Sequence, residues 1–137
     1  TGYNWASYFD TNYAKYATDK KTQLDSEDDA AHVNWGGDWR TPTHYEQDEL
    51  RLYCSWTMTT LNGVNGYTVK GPNGNSIFLP AAGWRRDGDL ENVGIGGGYW
   101  SSTISISGYD PFLQYDHGYT NVIGLRTDGL TVRPVCQ

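Results

Sequence analysis

The chain has 137 residues, a length that suits one domain built around one hydrophobic core. It carries 16 acidic and 10 basic residues, which gives a net charge of −6. This balance offers no source for the phosphate neutralisation that drives nucleic-acid binding, so we expect no nucleic-acid partner. The longest apolar runs are a few residues, far short of the roughly 20 that cross a bilayer, so we expect no membrane span.

The first predicted element is a helix that follows the acidic run at residues 25–29. Asp25 or Ser26 can cap its start, and the carboxylates after them complement the positive end of the helix dipole. The helix is expected to end before the paired glycines 36–37, which favour a turn. Its buried face is expected to contain Ala30, Ala31, Val33 and Trp35.

A second helix is predicted to begin after Thr43, because Glu46 three residues later completes a capping box. From Ser55 the residues alternate as in a β-strand, and turns at 62–63 and 71–74 predict a meander of short strands. Further strands are predicted at 99–103, 112–115 and 130–135. Two early helices and many late strands indicate a single α+β domain over residues 1–137.

Five stretches of the chain carry a family resemblance: residues 28–33 (DDAAHV), 35–43 (WGGDWRTPT), 73–83 (NGNSIFLPAAG), 98–103 (GYWSST) and 132–135 (VRPV). In this order they resemble the Fibrobacter succinogenes major paralogous domain family of bacterial surface proteins. The resemblance implies a C-type-lectin-like fold, with two helices packed on a meander of short, mostly antiparallel strands. It also implies a relation to the variable proteins of diversity-generating retroelements, in which a rigid scaffold presents a variable face.

Residues 104–128 differ in composition from the rest of the chain. They are rich in Tyr, Ser, Gly and Asp, the residue types that antibody binding loops favour. Adenine-directed mutagenesis of an AAC or AAT codon never produces Lys, Glu, Gln, Met or Trp, and within this segment only Gln114 belongs to that set. Two explanations stay open, namely such mutagenesis and the ordinary preference of loops for small, turn-forming residues.

The predicted binding face follows from the alternation of a strand at 112–115. If Leu113 and Tyr115 point inward, Phe112 and Gln114 face the ligand, and the flanking loops add the remaining contacts. The candidate ligand-binding residues are Tyr109, Asp110, Phe112, Gln114, Asp116, His117, Tyr119, Asn121, Ile123, Leu125, Thr127 and Asp128.

No arrangement typical of catalysis is found in the sequence. His32, His44 and His117 occupy unrelated contexts, and no nucleophile stands beside a base. The acidic run at 25–29 is explained by a helix start rather than by calcium binding. We therefore predict no enzymatic activity, no cofactor and no metal.

The remaining conspicuous side chains are assigned to the scaffold. Trp39 and Trp100 lie within the family-like stretches and are expected to be core residues. Arg40 and Arg133 are expected to donate hydrogen bonds to carbonyls across loops.

The two cysteines, Cys54 and Cys136, lack the spacing of a zinc site. In a lectin-like fold the last strand returns to the helices near the chain ends. The resemblance therefore favours a disulfide between them.

The sequence thus predicts a non-enzymatic, adhesin-like ligand-binding domain on a bacterial surface or pilus tip, diversified by a retroelement. Its expected partner is a protein or glycan ligand on another cell surface, and its expected location is extracellular or on the cell surface. One alternative is a receptor-binding domain on a phage particle. A second alternative is a module of a surface glycan-degrading system.

Overall fold

The computed structural model describes residues 20–105, 109–115, 119–126 and 128–136. Within them the fold is mixed, with two helices and several short antiparallel strands, which confirms the α+β prediction. The helices are α1 (Ala30–Trp35) and α2 (His44–Tyr53). Neither is long and apolar enough to cross a membrane.

The strands form small antiparallel sheets. Two of these sheets have three strands each, in the orders β2-β3-β4 and β7-β8-β9, and two have the paired strands β1-β10 and β5-β6. The strands are β1 (Trp39–Arg40), β2 (Ser55–Leu61), β3 (Val64–Lys70), β4 (Ser76–Pro80), β5 (Trp84–Arg86), β6 (Asp89–Glu91), β7 (Gly97–Trp100), β8 (Tyr109–Tyr115), β9 (Tyr119–Leu125) and β10 (Val135–Cys136).

Helix α1 starts later than the sequence predicts. Its N-cap is Asp29, whose Oδ1 accepts a hydrogen bond from the Ala31 amide at 2.9 Å, and not Asp25 or Ser26. The predicted buried face is also only partly right. Ala31 is fully buried, but the side chains of Val33 and Trp35 are 60% and 59% exposed.

Buried Asp29 also joins α1 to the chain that leads into α2. Its carboxylate accepts hydrogen bonds from the Thr41 hydroxyl at 2.6 Å and the Thr41 amide at 2.8 Å. The predicted capping box of Thr43 and Glu46 is confirmed at the start of α2. Glu46 also pairs with both terminal nitrogens of Arg40, at 2.6 and 2.7 Å, so Arg40 holds a carboxylate rather than mainly bridging loop carbonyls.

The predicted β meander is confirmed for β2, β3 and β4, including the turn at Asn62 and Gly63. The β5-β6 hairpin and strand β9 were not predicted from the sequence. The strand predicted at 130–135 is reduced to the two residues of β10, which pair with β1.

The core lies where the two three-stranded sheets meet. It contains Val69 and Leu79 from the first sheet and Tyr99, Leu113 and Tyr115 from the second. Because α2 packs its partly buried Leu50 and Cys54 against this cluster, the helix supports both sheets from one side.

Two scaffold predictions need correction. Cys54 and Cys136 do not form a disulfide, because Cys54 caps the end of α2 whereas Cys136 lies opposite Trp39 in the β1-β10 pair. The Trp39 side chain is 39% exposed and is not a core residue. Trp100 is half-buried against Phe112. Arg133 is exposed, and its hydrogen bonds to loop carbonyls stay a prediction.

Candidate functional site

The segment 104–128 is anchored at its base. The amide of buried Ile104 donates to the Thr22 carbonyl at 2.9 Å, next to a β-bridge between Gln23 and Thr103. On the other side, Arg126 donates to the Ser105 carbonyl at 2.6 Å. The Arg126–Ser105 contact joins the start and the end of the segment.

Strand β8 is buried on both of its faces over its second half. Leu113 and Tyr115 are 2% and 0% exposed and belong to the main core. Phe112, which alternates with them, is also only 2% exposed. The prediction that Phe112 faces a ligand is therefore wrong.

Phe112 is buried because Gly124 leaves room for its ring. A Cβ atom at Gly124, diagonally across the hairpin, would lie 2.5 Å from the ring, whereas one at Gly98 would lie at an ordinary contact distance of 3.5 Å. Trp100 completes the enclosure, with the two ring centroids 5.7 Å apart in an edge-to-face arrangement. This second, smaller cluster fixes β8 between β7 and β9.

Asp128 is also a structural residue rather than an exposed contact. It is 6% exposed, and its Oδ2 accepts a hydrogen bond from Nη2 of Arg86 at 3.3 Å. That hydrogen bond and the charge of Asp128 raise the pKa of Arg86 above its ordinary value, although burial opposes this. The predicted ligand contact at Asp128 is therefore corrected to an ion pair that ties the end of the segment to β5.

The register of the β8-β9 hairpin divides the predicted contacts into two sets. Positions 112 and 114 of β8 lie opposite 122 and 120 of β9. The β9 candidates lie opposite the other β8 positions: Tyr119 with Tyr115, Asn121 with Leu113, Ile123 with Pro111 and Leu125 with Tyr109. Since opposed positions of an antiparallel pair share a face, the predicted residues do not form one continuous strand face.

Of the remaining candidates, Asp110 and Gln114 lie on β8 and Leu125 lies at the end of β9. Asp110 lies opposite Gly124 in the hairpin, and Gln114 and Leu125 are half-buried. Asp116, His117 and Thr127 lie outside the described residues.

A shallow hollow beside α1 was missed by sequence reasoning. It has a volume of about 290 Å³, and its lining includes His32, Asp38, Trp39 and Arg40. The signal was present in the Trp-Gly-Gly-Asp-Trp stretch, but Trp39 had been assigned to the core. Since Arg40 is already paired with Glu46, the hollow offers mainly an exposed aromatic ring and polar groups.

Acidic oxygens gather in front of α1. The carboxylates of Asp25, Glu27 and Asp28 place oxygens within 4.8 Å of one another. Lys21 contacts both oxygens of Asp25 at 2.7 Å and offsets part of this charge. The cluster is consistent with a solvated acidic turn, so we assign no metal to it.

Ser102, His44 and Asp48 do not have the geometry of a catalytic triad. Ser102 is buried at 1% exposure, and among the described residues neither its hydroxyl nor Nδ1 of His44 has a hydrogen-bond partner. Nε2 of His44 lies 3.4 Å from Asp48 on the same helix. Because the hydroxyl is neither accessible nor bonded to the imidazole, these residues do not form an activated nucleophile.

Within the described ranges, the architecture is that of an α+β domain whose second three-stranded sheet contains the antiparallel strands β8 and β9. No protein-family model, curated protein or solved structure matches the chain. Inferences about its function therefore depend on its own residues and their arrangement.

Proposed function

We propose that this chain is a non-enzymatic, adhesin-like ligand-binding domain with a C-type-lectin-like fold, displayed on a bacterial surface or pilus tip. The observation that carries the proposal is the way in which residues 104–128 are held. Buried β8 and the Arg126–Ser105 contact fix the segment, while its loops are rich in the residue types of binding loops. A rigid base that carries tolerant loops is the arrangement a diversified binding protein requires.

The structural corrections change which residues we assign to binding. Phe112 and Asp128 become supports of the face, because both are buried. The contacts are assigned to candidates of the segment that these corrections leave in place, namely Tyr109, His117, Tyr119, Asn121 and Ile123. Aromatic residues are the main anchors, since truncation of such anchors often costs more than about 1 kcal/mol of binding energy.

The test uses alanine variants of Tyr109, His117 and Tyr119, screened on bacterial cell surfaces and glycan arrays against the unmodified protein. Tyr45→Ala is the matched control, because Tyr45 is 77% exposed on α2 and lies outside the segment. We expect the three segment variants to lose about tenfold or more in affinity with little change in melting temperature. Unchanged binding by all three would refute the assignment of this face.

The retroelement part of the proposal has a separate test in the genome. We expect a near-repeat of the nucleotides encoding residues 104–128 beside a reverse transcriptase gene, differing mainly at adenines. A locus that lacks both the near-repeat and the reverse transcriptase gene would refute diversification. The binding assay would then test the ligand-binding function by itself.

A further inference from the structure

The hollow beside α1 combines a concave surface with an exposed tryptophan. Its lining comes from the chain before α1, from the helix itself and from β1, and its volume is about 290 Å³. Trp39 lines the hollow and is 39% exposed. Small-molecule sites are concave, contain aromatic side chains and have volumes of about 300 to 1,000 Å³, so the hollow suits a small ligand.

Two charged side chains of the lining form a fixed wall. The buried Asp29 carboxylate accepts three hydrogen bonds, one from the Ala31 amide and two from the amide and hydroxyl of Thr41. Arg40 is held by both carboxylate oxygens of Glu46. Since these groups are already paired, they keep the shape of the hollow, and a ligand does not have to order them on binding.

Other polar side chains of the lining are available to a ligand. Within the parts of the chain that the structure describes, no hydrogen-bond partner is found for the side chains of Gln23, Ser26, His32, Asp38 and Trp39. Together they offer amide, hydroxyl, imidazole and indole donors beside amide, hydroxyl and carboxylate acceptors. This mixture matches a ligand with several hydroxyl groups, because each hydroxyl group both donates and accepts.

The turn between α1 and β1 gives access to Trp39. Gly36 and Gly37 have φ values of 66° and 56°, in the left-handed region that glycine adopts without strain. Gly37 also lines the hollow, and a Cβ atom added to it would meet no atom within 4 Å. Open space therefore borders the backbone beside Trp39, and a ligand can approach closely there.

We propose that this hollow binds one ring of a neutral sugar. The apolar C–H face of the sugar ring packs on the indole of Trp39, and the sugar hydroxyls exchange hydrogen bonds with Asp38 and the other available side chains. The charges favour a neutral ligand, because the carboxylates of Asp29 and Asp38 repel phosphate, sulfate and carboxylate groups. The residues that carry this site lie outside residues 104–128, so it does not depend on the binding face proposed above.

The test is an NMR titration of the full chain with glucose, galactose, mannose and N-acetylglucosamine. It is read at the backbone amide signals of Gly37 and Asp38 and at the indole N–H signal that disappears in Trp39→Phe. We expect at least one sugar to shift these signals saturably, with a dissociation constant of about 0.1 to 10 mM. Sorbitol has hydroxyl groups but no ring, and it is expected to cause no saturable shift.

Trp39→Ala and Asp38→Ala are each expected to weaken binding of the responding sugar by about tenfold or more. Asp38 is exposed in a turn, so its variant tests the site even if Trp39→Ala fails to fold. Trp35→Ala is the matched control, because Trp35 is 59% exposed and is not among the residues that line the hollow. It is expected to bind the sugar like the unmodified protein.

The absence of a saturable shift with all four sugars would overturn the proposal, and so would binding that Asp38→Ala leaves unchanged. Saturation by choline and not by the sugars would also overturn it, since the hollow would then recognise an organic cation. Tyr109→Ala separates this site from the binding face and is expected to leave sugar binding unchanged. If Tyr109→Ala abolishes sugar binding, the sugar binds at residues 104–128 and the assignment to the hollow is wrong.

Discussion

The two three-stranded sheets are both antiparallel, yet they use their strands differently. In the first sheet the buried residues lie mainly on β3 and β4, and the edge strand β2 leaves Met58 51% exposed. In the second sheet the middle strand β8 buries Phe112, Leu113 and Tyr115 to 2% exposure or less. Strand β8 lies within residues 104–128, whose composition is typical of loops, yet its second half is among the best-packed parts of the described chain.

The two sheets are joined by tyrosine hydroxyls. Tyr99 donates to the Pro80 carbonyl and Tyr115 donates to the Leu79 carbonyl, each at 2.6 Å. These carbonyls belong to the end of β4, on the first sheet. The second sheet thus relies on the first for the partners of its two most buried phenols, and the first gains partners for its carbonyls.

Truncation of the middle strand tests this contrast most strongly. Phe112→Ala removes a buried ring and leaves a cavity between two glycines, so we expect a loss of about 3 to 5 kcal/mol in the free energy of unfolding. Met58→Ala, on the exposed edge of the first sheet, is expected to cost less than about 1 kcal/mol. Urea denaturation of both variants measures the difference, and similar losses would contradict the contrast.

Removal of one hydroxyl tests the link between the sheets. Tyr115→Phe removes the hydrogen bond from the Tyr115 hydroxyl to the Leu79 carbonyl, and we expect a cost of about 0.5 to 1.5 kcal/mol in the free energy of unfolding. Tyr67→Phe is the matched control, since Tyr67 packs edge-to-face on Tyr115 and is only partly buried. Equal effects of the two substitutions would mean that the Tyr115 hydroxyl does not stabilise the link.

Local signals in the sequence were sufficient for several elements. The Thr43–Glu46 capping box and the turn at Asn62 and Gly63 depend on side chains and backbone angles within a few residues, and both are present. The start of α1 was misjudged because several acidic residues in a row can each cap a helix. The one that does, Asp29, is selected by its distant partner Thr41.

The binding face was harder to predict because alternation alone does not say how many faces of a strand are buried. Phe112 was assigned to the ligand because Leu113 and Tyr115 were expected to point inward, and those two are indeed buried. The second buried face depends on Gly124 and Trp100, which lie on other strands. The register that brings them to Phe112 is not visible in the local sequence.

Alkaline pH tests the burial of the tyrosines in the second sheet. Burial raises the pKa of Tyr99 to about 12 and also raises that of Tyr115. The unfolded chain therefore releases these protons first, so stability is full below the unfolded pKa of about 10 and falls as the pH rises towards the folded value.

We expect a loss of about 1 kcal/mol for Tyr99 between about pH 9 and about pH 11. In Tyr99→Phe this part of the slope should disappear, whereas Tyr45→Phe, at an exposed position on α2, should keep it. Denaturant titrations across this range give the slopes. A Tyr99→Phe slope equal to that of the unmodified protein would show that Tyr99 is not the group responsible.

The smallest effect is expected for the Arg40–Glu46 ion pair, which holds the start of α2. This helix is tied to the second sheet, because Gln47 donates to two carbonyls at the end of β7. The hydrogen bond from Arg40 is the main cause that lowers the pKa of Glu46 from 4.5 to about 2. Its stabilisation is present above the unfolded pKa and is lost as the pH falls through the folded value. Because the Glu46 side chain is 37% exposed, we expect Glu46→Gln to cost only about 0.5 to 1 kcal/mol at neutral pH, and less near about pH 3. Glu49→Gln removes an exposed charge on the same helix and controls for the change in net charge. If it lowers the free energy of unfolding as much as Glu46→Gln does, the Arg40–Glu46 pair has no specific stabilising role.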